Sequence, residues 1–254
     1  VVTHTTTLQD KVAVIGGGGK NLGGLVSRTF ADAGLRGVVV HYHSDSSAPD
    51  AEQTVKDVLD TGAQAVAVQA DLTRPSEVES VFDAAVREFG GFDVAVNTAG
   101  MVLRKPISEI TEDEYDEMLG INAKAAFFFI KEAGRRINDR GRIITLVTSL
   151  LPAFTDGYST YNGGKAAAEH FTRAAAKEFA DRGISVNNVA PGPMDTPFFY
   201  PQETDERVAF HKSQAMDNQL TDIEDIAPLI KYLATAGGWI TGQTIFANGG
   251  YTTR

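Results

Sequence analysis

Residues 12–33 read "VAVIGGGGKNLGGLVSRTFADA". Val12 to Ile15 form an apolar run without alternation, as a strand covered on both faces requires, and from Leu22 to Ala33 apolar groups recur three and four residues apart. Between strand and helix lies "GGGGKNLGG", Gly16 to Gly24. Glycines allow the sharp turn and the close approach of main-chain N–H groups to an anion at a helix N-terminus, where the aligned peptide dipoles favour negative charge. That placement, after the first strand and before the first helix, points to a pyrophosphate loop, with Gly17, Lys20, Asn21, Leu22 and Gly23 against the ligand. Lys20 sits inside the glycine run with no Gly-Lys-Ser/Thr ending, which excludes a Walker A loop. A glycine turn needed only for tight strand-helix packing is the competing reading.

The same alternation continues along the chain. Strand-like runs fall at Gly37–Val40, Ala65–Gln69, Val94–Asn97, Ile143–Val147, Ile184–Val189 and Thr244–Phe246, and amphipathic helices at Ala51–Thr61, Ser76–Phe89, Glu114–Asn138, Thr160–Ala180 and Asp222–Ala234. Repeated βαβ units predict a parallel sheet with helices on both faces, in one domain over 1–254. Thr111 with Glu114, and Thr221 with Glu224, read as capping boxes that start two helices. Residues 191–219 break the rhythm with "PGPMDTPFFYP", where prolines forbid a regular element, so a lid or substrate loop is expected there.

Composition narrows the function classes. The 254 residues carry no cysteine, and the five histidines, His4, His41, His43, His170 and His211, form no ligand-like cluster, so neither disulfides nor a metal site is expected. A net charge of −10 without a basic stripe argues against a nucleic-acid partner. Runs such as 125-AAFFFI-130 are too short to span a bilayer, and the start "VVTHTTTLQDK" has no signal-peptide pattern, so a cytoplasmic protein is expected.

The end of the second strand bears on which dinucleotide binds. A carboxylate there would accept from the ribose hydroxyls and repel a 2'-phosphate. The chain reads "VVVHYHSDSS", with His41, Tyr42, His43 and Ser44 before the first acid, Asp45. Lys20 as a charge and Ser44 as a hydroxyl donor suit a 2'-phosphate, which favours NADP(H), and His41 is a further candidate contact. In "STYNGGKAAAEHFTRAAAKEF", residues 159–179, Tyr161 and Lys165 lie at i and i+4 and reach a common point from one helix face.

Taken with these, "DLT" at 71–73, "NTAG" at 97–100, "INAKAAFFF" at 121–129 and "PGPMDT" at 191–196 make the chain resemble the short-chain dehydrogenase/reductase family over nearly its whole length. The family's Thr-Gly-x-x-x-Gly-x-Gly motif falls on Gly16, Gly17, Asn21 and Gly23, so its threonine and middle glycine are replaced; asparagine tolerates left-handed backbone better than other non-glycine residues. The resemblance implies a three-layer αβα Rossmann fold, a doubly wound parallel sheet of about seven strands. It places Asp71 and Leu72 at the adenine, Asn97, Ala99 and Gly100 near the ribose, and Pro191, Gly192 and Thr196 at the nicotinamide. Tyr161, Lys165 and Asn122 fall on catalytic positions, and the catalytic hydroxyl on Thr148 or, with a one-residue shift, Ser149.

The activity so implied is NADPH-dependent reduction of a ketone to a secondary alcohol. Tyr161 would be the proton donor, Lys165 would stabilise its phenolate, the hydroxyl would orient the carbonyl, and Asn122 would hold a helix kink and a water leading to Lys165. Met101, Val102, Leu103, Leu151, Phe154, Tyr158, Phe198, Phe199 and Tyr200 are candidates for an apolar substrate wall that suits an aryl or alkyl ketone or a β-keto ester. Alcohol or polyol oxidation by the same groups is the alternative, and a non-catalytic dinucleotide sensor a more distant one. A homotetramer built on the two long helices is the family's usual assembly.

Overall fold

The computed structural model describes residues 7–253; His4 and most of the N-terminal stretch lie outside the described residues. The first strand, β1 (Val12–Gly16), lies inside the sheet and is buried at every position. The others are β2 (Gly37–Tyr42), β3 (Gln64–Gln69), β4 (Val94–Asn97), β5 (Arg142–Leu146), β6 (Ser185–Pro191) and β7 (Thr244–Ala247). All pair in parallel, in the order β3-β2-β1-β4-β5-β6-β7. This is the doubly wound Rossmann arrangement. Successive strands step one way from β1 to β3 and the other way from β4 to β7, so a crevice opens beyond the carboxyl ends of β1 and β4. There Gly16 and Asn97 sit side by side in register. The inner strands β1 and β4 are almost continuous Val, Ile and Ala runs because helices cover both faces, whereas the edge strand β3 is only partly covered.

The helices are α1 (Asn21–Asp32), α2 (Ala48–Asp60), α3 (Pro75–Phe89), α4 (Glu112–Leu119), α5 (Ala125–Arg136), α6 (Ser159–Glu178), α7 (Asp205–Ser213) and α8 (Ile223–Ala234). One face packs Val26 and Phe30 of α1 with Ile226 and Ile230 of α8, and the other packs Phe82, Phe92 and Phe129, whose rings stand 5.0–5.2 Å apart. No helix among the described residues is long and apolar enough to cross a membrane.

Two expectations about helices are corrected. The stretch 114–138 is not one helix: a π turn, Gly120–Lys124, separates α4 from α5. The cause is tertiary, since Asn122 turns inward from that bulge to bond the loop after β4. The box at Thr111 and Glu114 forms as read, with both reciprocal bonds, but Thr221 caps nothing. Asp222 is the N-cap of α8, its carboxylate accepting from the Glu224 amide at 3.0 Å, while the Thr221 backbone is held by Pro193 and Asp195.

Candidate active site

The glycine loop is shaped by close approach. Gly17 has φ +72°, and a Cβ on it would stand 2.8 Å from Thr98 Oγ1; one on Gly23 would stand 2.1 Å from the Gly17 carbonyl oxygen. Asn21, in place of the family's middle glycine, has φ +48°, the left-handed conformation that asparagine tolerates. Thr98 donates its hydroxyl to the Gly16 carbonyl at 2.8 Å and the Gly17 carbonyl at 3.2 Å, tying the loop to the end of β4. Lys20 caps α1 without a side-chain hydrogen bond, and no acid lies in the first turn. A glycine cradle, a helix start without a side-chain cap and a first turn free of carboxylates fit the pyrophosphate of a dinucleotide.

His41 takes a part different from the expected cofactor contact. It lines the cavity, yet Nδ1 accepts from the Gly17 amide at 2.9 Å and Nε2 donates to the Ala70 carbonyl at 2.9 Å. Both ring nitrogens are therefore spent on main chain. Burial lowers its pKa to about 4, so the neutral ring is a fixed strut between the glycine loop and the end of β3.

A cavity of about 1100 Å³ runs from this loop to Tyr161. Beside the glycine loop it is lined by Lys20, His43, Ser44, Ser46 and Ser47. Asp45, the first acid after β2 in the sequence, is drawn aside and accepts from Gln69 Nε2 at 3.0 Å. The three serines form a hydroxyl cluster, with Ser44 and Ser46 Oγ 2.9 Å apart. Ser46 and Ser47 were not picked out from sequence, although they lie just past Ser44. Asp71 and Leu72 line the same end, where the Asp71 carboxylate takes the amide and hydroxyl of Thr73 at 2.9 and 2.7 Å. Ala99, Gly100, Pro191 and Thr196 line the cavity farther along. Asn97 does not; it is buried and accepts from the Ala99 amide at 3.1 Å, shaping the turn instead. Gly192 lies behind Pro191, against a second, smaller cavity.

Where the two cavities meet, the catalytic candidates converge. Tyr161, in the first turn of α6, is hydrogen-bonded through its hydroxyl to Thr148. Ser149 is buried beside Thr148 and lines the same smaller cavity, but the hydroxyl paired with Tyr161 is that of Thr148. Lys165 Nζ donates to the Leu146 carbonyl at 2.8 Å and stands 6.0 Å from the Tyr161 ring centre. Burial pushes Tyr161 up to about 12 and Lys165 down to about 8. A Cβ on Gly100 would lie 3.0 Å from Lys165 Nζ, so only glycine leaves this approach open. Asn122 braces the floor. Its Nδ2 donates to the carbonyls of Met101 at 2.8 Å and Met118 at 3.1 Å, and its Oδ1 accepts from the Met101 amide at 3.2 Å.

The expected substrate wall is divided. Met101 lines the large cavity, Val102, Tyr158 and Phe199 the smaller one, and Phe198 both. Leu103 instead packs onto the cluster that contains Met118, Leu150 and Tyr158, and Leu151 onto the one that contains Val147 and Ala168, and neither lines either cavity. Phe154 is fully exposed, and Tyr200 turns outward to donate to Asp195 at 2.6 Å. Sequence reading missed Glu203 and His211, which complete the wall of the smaller cavity.

Comparison with known proteins agrees with this geometry. The family model described as enoyl-(acyl carrier protein) reductase matches residues 18–252. A Burkholderia cenocepacia protein whose crystal structure carries bound NADP is 56% identical, with a TM-score of 0.97, over 99% of this chain and 97% of that one. An Arabidopsis thaliana NADPH-dependent aldehyde reductase-like protein is 34% identical over 96% of this chain and 95% of its own length. The short chain dehydrogenase mdpC of Emericella nidulans is also 34% identical, over 96% of each chain. With this sheet order, the Tyr161-Lys165 pair and matches along nearly the full length, the chain belongs to the short-chain dehydrogenase/reductase family.

Proposed function

We propose that the protein is an NADP(H)-dependent reductase converting a ketone (an aryl or alkyl ketone, a β-keto ester or a related carbonyl) to a secondary alcohol. The observation that carries the reading is the Tyr161 hydroxyl, bonded to Thr148 at the junction of the two cavities, with Lys165 fixed one helical turn away. The cofactor is NADP(H), held by Gly17, Lys20, Asn21, Leu22, Gly23 and the serine cluster from Ser44 to Ser47. When bound it supplies the hydride for the carbonyl carbon.

The chain's own groups handle the proton. A substrate oxygen between Thr148 and Tyr161 receives a hydrogen bond from each hydroxyl, which orients the carbonyl and stabilises charge as it develops on oxygen. Tyr161, held protonated by burial, is the donor to that oxygen. The phenolate so formed needs a nearby positive charge, and Lys165, anchored on Leu146, supplies it from the same helix face while its remaining N–H groups are free for the nicotinamide ribose. Asn122 keeps the loop after β4 and the π turn in register beneath this pair. Residues 191–219 serve as the substrate loop, and the assembly is a homotetramer through α5 and α6, where Phe127 is half-exposed beside Phe171. A panel of ketones against alcohols and diols, each with NADPH and NADH, tests the function. Ketone reduction with NADPH supports it, and turnover confined to diol oxidation refutes it. A monodisperse monomer in sedimentation would refute the assembly.

A further inference from the structure

The smaller cavity, about 80 Å³, has Thr148 and Tyr161 on one side and two buried polar groups on another, Glu203 and His211. The Glu203 side chain is fully buried. Its Oε1 accepts the hydroxyl of Tyr158 and lies 3.9 Å from Arg104 Nε, while its Oε2 has no hydrogen-bond partner. His211 is nearly as buried; its Nδ1 is paired with the Tyr251 hydroxyl at 2.7 Å, and its Nε2 has no partner either. The two atoms stand 3.6 Å apart, within ion-pair reach but beyond a good hydrogen bond to each other, so each keeps an unmade hydrogen bond. A buried carboxylate oxygen and a buried imidazole nitrogen left unsatisfied are costly and mark a place where a ligand group belongs.

The protonation pattern defines that group. Burial holds the Tyr251 phenol up at about 12 and pushes His211 below its usual range, so Tyr251 keeps its proton and donates to Nδ1 of a neutral ring. His211 then offers an Nε2–H donor beside the Glu203 Oε2 acceptor. A hydroxyl satisfies both, donating to one and accepting from the other; an ether or a hydrocarbon satisfies at most one. Val102, Met194, Phe198 and Phe199 make up the apolar part of the wall, beside Ser149 and Gln202, whose Oε1 already accepts from the Arg104 amide at 3.0 Å.

We propose that Glu203 and His211 form a hydroxyl-recognition subsite, so that the substrates are ketones carrying a second, hydrogen-bond-donating hydroxyl, alcoholic or phenolic, away from the reacting carbonyl. This rests on the ketoreductase reading for the chemistry at Tyr161, but not for the binding itself. The preference comes from the penalty for leaving two buried polar atoms unpaired when that hydroxyl is missing.

The probes are tetralone, its ring-hydroxylated positional isomers, and the methyl ether of each isomer, which keeps the oxygen but removes the donor. For the best isomer, the wild-type enzyme is expected to show a kcat/KM at least about tenfold above that of its methyl ether. In Glu203→Gln, and separately in His211→Phe, which keeps the ring packing on Phe199, that ratio falls toward one whatever the absolute rates. A merely structural role would lower hydroxylated and methylated ketones together and leave the ratio intact. A wild-type ratio near one for every isomer, or an unchanged ratio in both variants, overturns the subsite. Calorimetric titration of the same ketones into NADP+-saturated protein separates the two claims. Hydroxyl-selective binding without reduction keeps the subsite and overturns the ketoreductase reading, whereas reduction without selectivity in either measurement does the reverse.

Discussion

Replacing Lys20 by alanine removes a positive side chain from the part of the large cavity beside the glycine loop. A unit charge about 4 Å from another is worth about 1 kcal/mol in water, and a 2'-phosphate carries nearly two charges, so the gross attraction is about 2 kcal/mol. Two features of the structure reduce it. The Lys20 side chain is 57% exposed, and Asp50 Oδ2 stands 3.8 Å from Nζ, already drawing on the same charge. Screening by salt and the entropy of ordering an exposed lysine leave about 1 kcal/mol, a fivefold effect. Dissociation constants for NADPH and NADH, from the change in nicotinamide fluorescence on binding, are measured at low and moderate salt. In Lys20→Ala, NADPH weakens about fivefold while NADH stays within about twofold, with the difference shrinking as salt rises. Asp50→Asn acts in the opposite sense and tightens NADPH by up to about threefold, because Lys20 is released to the phosphate. Wild type favours NADPH by about tenfold, about 1.4 kcal/mol, of which Lys20 supplies about 1 kcal/mol and the Ser44 and Ser46 hydroxyls the remainder, the Ser47 hydroxyl being spent on the Ser44 carbonyl. Equal losses for both cofactors in Lys20→Ala, or a wild-type preference for NADH, would refute this placement of the 2'-phosphate.

Reduction needs the acid forms of both Tyr161 and Lys165, and with Tyr161 at about 12 the lysine, at about 8, titrates first. The kcat/KM for NADPH, which reports the free enzyme, is therefore flat below that value and falls as pH rises through it; a flat profile to about pH 10 would contradict the assignment. Asn122→Ala removes three hydrogen bonds and leaves the main chain of Met101 and Met118 unpaired in a buried site. It should cost about 2–3 kcal/mol and lower Tm by about 5–10 °C in a thermal melt; an unchanged Tm would show that the brace is dispensable.

Much of this architecture was readable from the chain because burial on both faces leaves little choice of residue. β1 and β4 are runs of Val, Ile and Ala with few interruptions, and the glycine loop is marked by positions at which a Cβ would strike Thr98 or the Gly17 carbonyl. What escaped the sequence was fixed by contacts distant along the chain. The π turn at 120–124 keeps helical composition, and its bulge exists because Asn122 reaches Met101, 21 residues earlier. Thr148 and Ser149 are chemically alike and adjacent, and only the packed position of Tyr161 separates them. Phe154 and Phe198 are equally plausible pocket residues by type; one is fully exposed and the other lines both cavities, because an irregular loop has no periodicity to set direction. Glu203 and His211 lie in a segment of weak pattern, and their meeting with Tyr158 and Tyr251 spans 45 and 40 residues of sequence.

The most direct measurement of the proton-relay claim is single-turnover ketone reduction by Tyr161→Phe, read beside its NADPH dissociation constant. The substitution keeps the ring that packs 6.3 Å from Tyr158 and removes only the hydroxyl that bonds Thr148. The rate of the chemical step should fall by about a thousandfold while NADPH binding stays within about twofold of wild type. A variant that reduces the ketone within about tenfold of the wild-type rate would contradict Tyr161 as the proton donor.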